Sequence, residues 1–305
     1  MLKLLRTAYY QLKTIIPRWL QLWLRRRWVK VRLPKYRSEW PILESAGTKP
    51  PGWKGWPEGK QFAVVLTHDV EFQKGHDRCL ELMKLEKARG FKSSFNFVPE
   101  RYSVSPELRK DLEENGFEVG VHGLNHDGKL FQSKQIFTSR AEKINHYLAE
   151  WKAVGFRAPA MHRNLQWMLD LDVEYDLSTF DTDPFEPQPS GVGTIFPFMV
   201  TDMGKKRSYV ELPYTLAQDF TPFILMRRRD IGFWTKKIDW IVKNGGMVLV
   251  NTHPDYMSFN ATPGEEEFPI ELYLNLLKYI EVQYADQYWH ALPKDVAGFY
   301  KKGYA

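Results

Sequence analysis

Phe117-Glu118-Val119-Gly120-Val121-His122-Gly123-Leu124-Asn125-His126 is the stretch around which this 305-residue chain is organised. It reads as a short buried strand running into a turn and a helix, with histidines at both ends of its last five residues. Two imidazoles four apart can share one face of a helical turn, so that their ring nitrogens converge. Neutral imidazole is a common ligand of zinc and its neighbours, and the spacing suits a divalent metal.

The segments on either side set the fold class. Upstream, Phe62-Ala63-Val64-Val65-Leu66 is an unbroken apolar run ending in Thr67-His68-Asp69-Val70-Glu71. Such runs mark strands buried on both faces of a parallel sheet, and α/β folds place their chemistry at the ends of those strands. A helix is expected from about His76 to Arg89, stopped by Gly90, then a strand from Lys92 to Val98. A further helix opens at Ser105-Pro106-Glu107 and closes at Asn115-Gly116. This alternation predicts an α/β protein with parallel strands.

Composition narrows the rest. With 43% hydrophobic residues the chain can bury a full core, and a one-domain barrel is a common solution at this size. Cys79 is the lone cysteine, which excludes an intramolecular disulfide. The net charge of +6 hides a split: Met1 to Ser38 carries eleven Lys or Arg and no acid, leaving 32 basic against 37 acidic residues in the remainder. The basicity therefore belongs to the arm and gives no reason to expect an active site that prefers anions.

In that arm Leu2, Leu5, Tyr9, Leu12, Ile15 and Ile16 follow helical spacing, Pro17 breaks or kinks it, and Trp19, Leu22, Trp23 and Trp28 resume it around Arg25-Arg26-Arg27. Its apolar runs are far too short to span a bilayer, and it lacks a signal-peptide core. The segment 1–37 either lies on an anionic membrane surface, which would be the cytoplasmic face, or packs on the catalytic domain with a solvated basic face. No nucleic-acid reader motif accompanies the charge, so nucleic acid is not an expected partner. Lys49-Pro50-Pro51-Gly52-Trp53-Lys54-Gly55-Trp56-Pro57 reads as a linker whose tryptophans cap the barrel or contact a sugar. The expected division is an arm and linker over 1–58 and a catalytic domain over 59–305.

Four more pieces follow in order: Gly155-Phe156-Arg157-Ala158-Pro159, Tyr175 to Pro184, Val210-Glu211-Leu212-Pro213, and Met247-Val248-Leu249-Val250-Asn251-Thr252-His253-Pro254. Together with Thr67–Glu71 and His122–His126 they resemble the polysaccharide deacetylase family, the NodB-like carbohydrate esterases. The likeness spans about Gln61 to Tyr300, and Trp289 to Ala297 looks like that family's last strand and helix.

The resemblance implies an irregular, partly open (β/α) barrel and a divalent-metal-dependent removal of N- or O-linked acetyl groups from a glycan, zinc being the best fit. The glycan would be a surface polysaccharide or its lipid-linked precursor, as in members tied to O-antigen assembly. Carried over by position, His122 and His126 match the histidine metal ligands, Asp69 the general base, Arg157 the arginine that orients it, and His253 the general acid. Leu249 and Val250, with Trp167 or Phe185, would wall the acetyl pocket.

Many members read Thr-Phe-Asp-Asp, the second aspartate being the third ligand; here that position is Val70. Other members place the acid one residue later, which assigns Glu71 as third ligand and leaves Asp69 as the alternative. His68 is either a further ligand or a core histidine bonded to backbone. Asp181, Asp183, Glu211 and Pro159 stand as candidates for contacting the sugar, with loop capping the commoner role for the first two. Asp255 either orients His253 or shapes a turn. His162 and Arg163 face either substrate or solvent. Paired-carboxylate glycoside hydrolysis is the competing enzymatic class. A catalytically degenerate deacetylase fold that binds glycan or an assembly partner is the non-enzymatic one.

Overall fold

A computed structural model describes residues 17–304 apart from 203, 205 and 261, so the helical pattern of residues 1–16 lies outside the described residues. Helix α1 (Arg18–Arg32) begins directly after Pro17, whose carbonyl accepts from the amides of Leu20 and Gln21. Pro17 therefore stands at the start of this helix. The alternating segment follows as β1 (Phe62–Val70), α2 (Gln73–Lys87), β2 (Ser93–Phe97), α3 (Pro106–Glu114), β3 (Glu118–His122), α4 (Lys134–Trp151) and β4 (Gly155–Arg157). Local chemistry sets the helix starts: the Ser105 hydroxyl accepts the Leu108 amide before Pro106, and the Ser133 hydroxyl accepts that of Ile136.

The second half is less regular. The short α5 (Leu165–Met168) leads to β5 (Tyr175–Asp176), and β6 (Phe198–Asp202) runs antiparallel to β7 (Arg207–Glu211). A π-helical turn, Phe220–Leu225, precedes α6 (Gly232–Asn244) and β8 (Met247–Thr252). Then come a small pair β9 (Met257–Ser258) and β10 (Phe268–Pro269), α7 (Ile270–Gln283), β11 (Tyr288–His290) and α8 (Pro293–Tyr304).

The main sheet curls into a partly open barrel. β8 pairs with one edge of β1, and from the other edge the parallel order β2, β3, β4, β5, β7 continues to the antiparallel β6. β11 occupies the edge of β1 just before β2, at Phe62–Val64. Closure comes from an irregular segment after β7, where the amides of Thr215 and Leu216 donate to the Leu249 carbonyl of β8.

Side-chain alternation along each strand gives two cores. Ala63, Val65, Tyr175, Val210, Met247 and Leu249 fill the barrel interior. Val296, Ala297 and Tyr300 of α8 join them together with Trp56, whose Nε1 donates to the Gly245 carbonyl at 2.9 Å. The linker tryptophan Trp56 therefore caps the barrel. Phe62, Val64, Leu66, Phe95 and Phe156 face outward into the layer shared with the helices. Leu22 and Val29 of α1, with Trp40 and Ala46, belong to this outer core, so the arm helix is packed on the domain. Because the strands run parallel, Asp69, His122, Arg157 and His253 all arrive at the same rim.

Glu118 lies inside the barrel, 4% exposed, accepting from the Tyr175 hydroxyl at 2.8 Å and from the Lys294 amide at 3.3 Å. Burial pushes its carboxyl up to about 7, the Tyr175 hydroxyl offsetting only part of the shift. The folded state therefore holds a proton that the unfolded chain has released. This stability is complete below the ordinary glutamate range and is lost as pH rises through about 7. Glu118→Gln should remove a loss on the order of 3 kcal/mol between pH 4.5 and 8. Denaturant unfolding across that range would show a flatter stability profile than the parent chain.

Candidate metal and catalytic site

Asp69, the last inward residue of β1, is 2% exposed and sits beside Arg157, the last residue of β4. Arg157 Nη1 donates to Asp69 Oδ1 at 3.0 Å and to the Thr67 hydroxyl at 2.9 Å, and also to Asn251 Oδ1. Its Nε donates to the Leu177 carbonyl at 2.9 Å. Asn96 and Asn251 donate to the two Asp69 oxygens at 3.1 and 2.9 Å. Burial alone would raise the Asp69 carboxyl. The Arg157 charge, then His122, His253 and the Asn251 bond, outweigh burial and hold it well below the usual carboxylate range.

Glu71, His122 and His126 each offer one donor atom, and the three atoms lie within 4.8 Å of one another. The histidines converge without a helix: His122 ends β3, His126 lies in the following loop at a φ of 54°, and their rings are 5.1 Å apart. The helix expected directly after the turn begins only at Lys134. Gly123 makes this turn possible, because at its φ of +64° a Cβ would stand 2.4 Å from Pro159 Cγ. Pro159 thus packs against the metal loop. Arg101 Nη1 donates to the His126 carbonyl at 2.9 Å and steadies the loop from the other side.

His122 Nδ1 donates to the Arg157 carbonyl at 3.1 Å, which leaves Nε2 as the lone-pair nitrogen. Burial lowers the His122 ring to about 4, so it is neutral at pH 7. His122 Nε2 and His126 Nε2 are buried without a hydrogen-bond partner among the described residues. The latter lies 2.9 Å from Glu71 Oε1 without hydrogen-bond alignment. Two such nitrogens converging on a carboxylate are the donor set of a divalent metal.

Val70 carries no ligand because it faces outward into the helix layer. Glu71 follows the strand and is held by Tyr256 and Asp255. The Tyr256 hydroxyl donates to its Oε2 at 2.9 Å, and its amide donates to Asp255 at 2.8 Å. Asp255 also accepts the amides of Phe72 and Gly75. It therefore neither orients His253 nor merely turns the chain; it fixes the start of α2 and with it Glu71.

His253 is oriented instead by Asp219, which accepts from its ring Nδ1 at 2.6 Å and from its backbone amide at 2.7 Å. Burial would lower this histidine, but the Asp219 carboxylate pushes it up to about 10, leaving an imidazolium. Its Nε2 lies 4.0 Å from Glu71 Oε1.

Other candidates stand elsewhere. Asp181 is buried in an ion pair with Lys237 rather than presented to a ligand. Asp183 is buried, accepting from the Phe185 amide and the Tyr214 hydroxyl. Glu211 accepts from the Thr179 hydroxyl in the interior beside Asp176. His68 is bonded to side chains, Thr252 and Glu86, rather than to backbone, and faces away from the site. Val250 points outward by strand alternation, so of the proposed pocket pair only Leu249 faces the interior. Phe185 packs on Trp28, Tyr36 and Trp40, and Trp167 on Phe131 and Phe137, so neither is free to wall an acetyl pocket. Arg163 is engaged by the Met161 and Ser190 carbonyls.

With this geometry in place, comparison with solved structures identifies the architecture. A structure assigned as a polysaccharide deacetylase from Mycobacterium smegmatis superposes with a TM-score of 0.63 at 18% identity, covering 83% of this chain and 95% of its own. One from Pseudomonas aeruginosa PAO1 gives 0.64 at 14% identity, covering 82% and 94%. The chain has the polysaccharide deacetylase fold. Puue allantoinase shares it, with a TM-score of 0.61 at 15% identity over 86% of this chain and 97% of its own. No family model and no curated protein matches the sequence. The polysaccharide deacetylase fold thus reaches this chain through geometry and a handful of rim residues.

Asp255→Ala should loosen Glu71 and lower metal affinity about 10–100-fold, the usual effect of losing an outer-shell partner. Competition with a chromophoric chelator would measure it. Asp219→Ala, whose side-chain hydrogen bonds among the described residues go to His253, should leave that affinity within about twofold.

Proposed function

We propose that this chain is a metal-dependent hydrolase that removes an acetyl group from a sugar of a surface polysaccharide or its lipid-linked precursor. The observation that carries the reading is Asp69, paired with Arg157, beside the Glu71, His122 and His126 donors, with the Asp219-bound His253 near Glu71. A divalent metal held by those three donors, zinc by its preference for imidazole and carboxylate, would polarise the acyl carbonyl and activate water. Asp69 accepts the proton of the attacking water, and Arg157 keeps it anionic between turnovers. His253 Nε2 gives its proton to the departing sugar nitrogen or oxygen as the acyl bond breaks, releasing acetate. Asp219 holds the ring in the orientation and charge state that this donation needs.

Asp69→Asn should keep the metal and lower kcat about 10²–10⁴-fold, the span of general-base catalysis. His122→Ala or His126→Ala should lose both metal and acetate release. Metal analysis together with an acetate assay tests all three. The alternative, a degenerate glycan-binding module, requires the parent chain to purify without stoichiometric metal.

The outer face of α1 supports a location. Trp19, Trp23, Leu24 and Val31 are 62%, 52%, 42% and 73% exposed, and Arg27 and Lys30 lie exposed among them. Aromatic and aliphatic side chains ringed by cations suit the headgroup region of an anionic membrane. Full-length protein should co-sediment with vesicles containing anionic lipid, and Trp19→Ala with Trp23→Ala should weaken this about tenfold or more. Indifference of the parent chain to such vesicles at low salt would remove the membrane from the proposal.

A further inference from the structure

The inner face of α1 lies along the mouth of the site, and three arginines on it do different things. Arg18 forms a forked pair with Glu266, its Nε 2.8 and 2.9 Å from the two carboxylate oxygens. Arg26 Nε donates to the Ile224 carbonyl at 3.1 Å, and its Nη1 reaches Glu265 at 3.3 Å. These two are docking contacts. Arg25 is half-buried with its guanidinium 4.7 Å over the Phe220 ring. Among the described residues it has no carboxylate at ion-pair distance and no hydrogen-bond acceptor.

Arg25 is tied to the reacting groups by a chain of ring contacts. Phe220 packs 5.0 Å from the Tyr256 ring, which packs 5.0 Å from His253 and holds Glu71 through its hydroxyl. Two rings end to end span the length of one or two sugar units. Glu186 senses the charges of Arg25, His253 and Arg163 without pairing with Arg25 among the described residues. Its Oε1 is already taken by the Tyr214 hydroxyl and the Gln218 amide, at 3.1 and 3.0 Å. It therefore leaves the Arg25 fork uncommitted. A planar guanidinium with free donors, backed by an aromatic face and partly shielded from water, suits an oxyanion.

We propose that Arg25 is a specificity-determining residue that selects acetylated sugars carrying an anionic group, a phosphate ester or a carboxylate, one or two sugar units from the acetyl. This rests on the deacetylase reading. It also gives the arm helix a part in substrate choice.

The test uses the full chain, metal-loaded, with three probes: N-acetylglucosamine, its 1-phosphate, and a disaccharide of N-acetylglucosamine and a uronic acid. One anionic probe should show a KM about tenfold or more below that of the neutral sugar, the worth of a charge-assisted hydrogen-bonded contact. Whichever it is tells phosphate from carboxylate. In Arg25→Gln that preference should shrink to about twofold while kcat moves little, and Arg25→Lys should be intermediate. Equal KM values in the parent chain, or a preference that survives Arg25→Gln, would overturn the proposal. Calorimetric binding of the same probes in an Asp69→Asn background separates the two readings. If no probe is hydrolysed but Arg25→Gln still weakens anionic-probe binding tenfold, the hydrolase reading fails and Arg25 stands. If acetate is released but Arg25→Gln leaves anionic-probe binding unchanged, the reverse holds.

Discussion

Arg157 and Asp69 form a charge pair that is 0% and 2% exposed at the inner rim of the barrel. Removing two charges from water costs several kcal/mol per ion unless the remaining donors and acceptors are met. Here they largely are: Thr67, Asn96, Asn251 and the Leu177 carbonyl take up the hydrogen bonds around the pair. Those partners come from β1, β2 and β8 and from the segment just after β5, while Arg157 itself comes from β4. One cluster therefore ties five parts of the sheet together where the strands end. Neutralising either charge would leave the other buried and unpaired, so the pair constrains the rim. Gly120 belongs to the same constraint: a Cβ there would stand 2.2 Å from Asn96 Oδ1, inside the space from which Asn96 reaches Asp69.

Strand parity then decides what each neighbouring residue can do. On β1, Thr67 and Asp69 point inward while Leu66, His68 and Val70 point into the helix layer. Position 70 is thus unavailable to a metal ligand on this strand, and the acid must come from beyond it. Glu71 qualifies because the chain leaves the sheet there and is captured by Asp255 and Tyr256. His68, carried to the opposite face, enters a buried network with Glu86, Ser93 and Tyr273 that pins β1 to the helices. The same alternation on β8 sends Asn251 inward and Val250 outward.

What the sequence made legible follows from this regularity. Continuous apolar runs ending in polar clusters marked the parallel strands and the rim, and the His122–His126 spacing marked the two imidazoles that converge with Glu71. The partners that hold those groups were not visible, and the reason is physical. Asp219, Gln218 and Tyr256 sit in the irregular stretches around the π-helical turn and after β8, where no periodicity reports which way a side chain points. Their positions are set by contacts to residues more than thirty places away, such as Asp219 with His253 and Tyr256 with Glu71. Phe185 and Asp181 misled for the complementary reason. Each lies beside a rim segment in sequence, yet packing against Trp40 or pairing with Lys237 turns it away from the rim.

The arm shows how one helix can satisfy two demands. Burying Leu22 and Val29 contributes about 1.5–3 kcal/mol each, and the Arg18–Glu266 fork and the Arg26 contacts fix the rotation of α1 about its axis. With that rotation fixed, Trp19, Trp23, Leu24 and Val31 cannot turn inward to hide their apolar surface. The exposed aromatic face is therefore a consequence of the docked one, not a sign of loose attachment. It also follows that Arg25 and the outer tryptophans are rigidly related within two turns of helix. Any surface that the tryptophans meet is held at a constant offset from the mouth where Phe220 and Tyr256 lead to Glu71. A flexible tether would give only local concentration; a docked helix also fixes orientation.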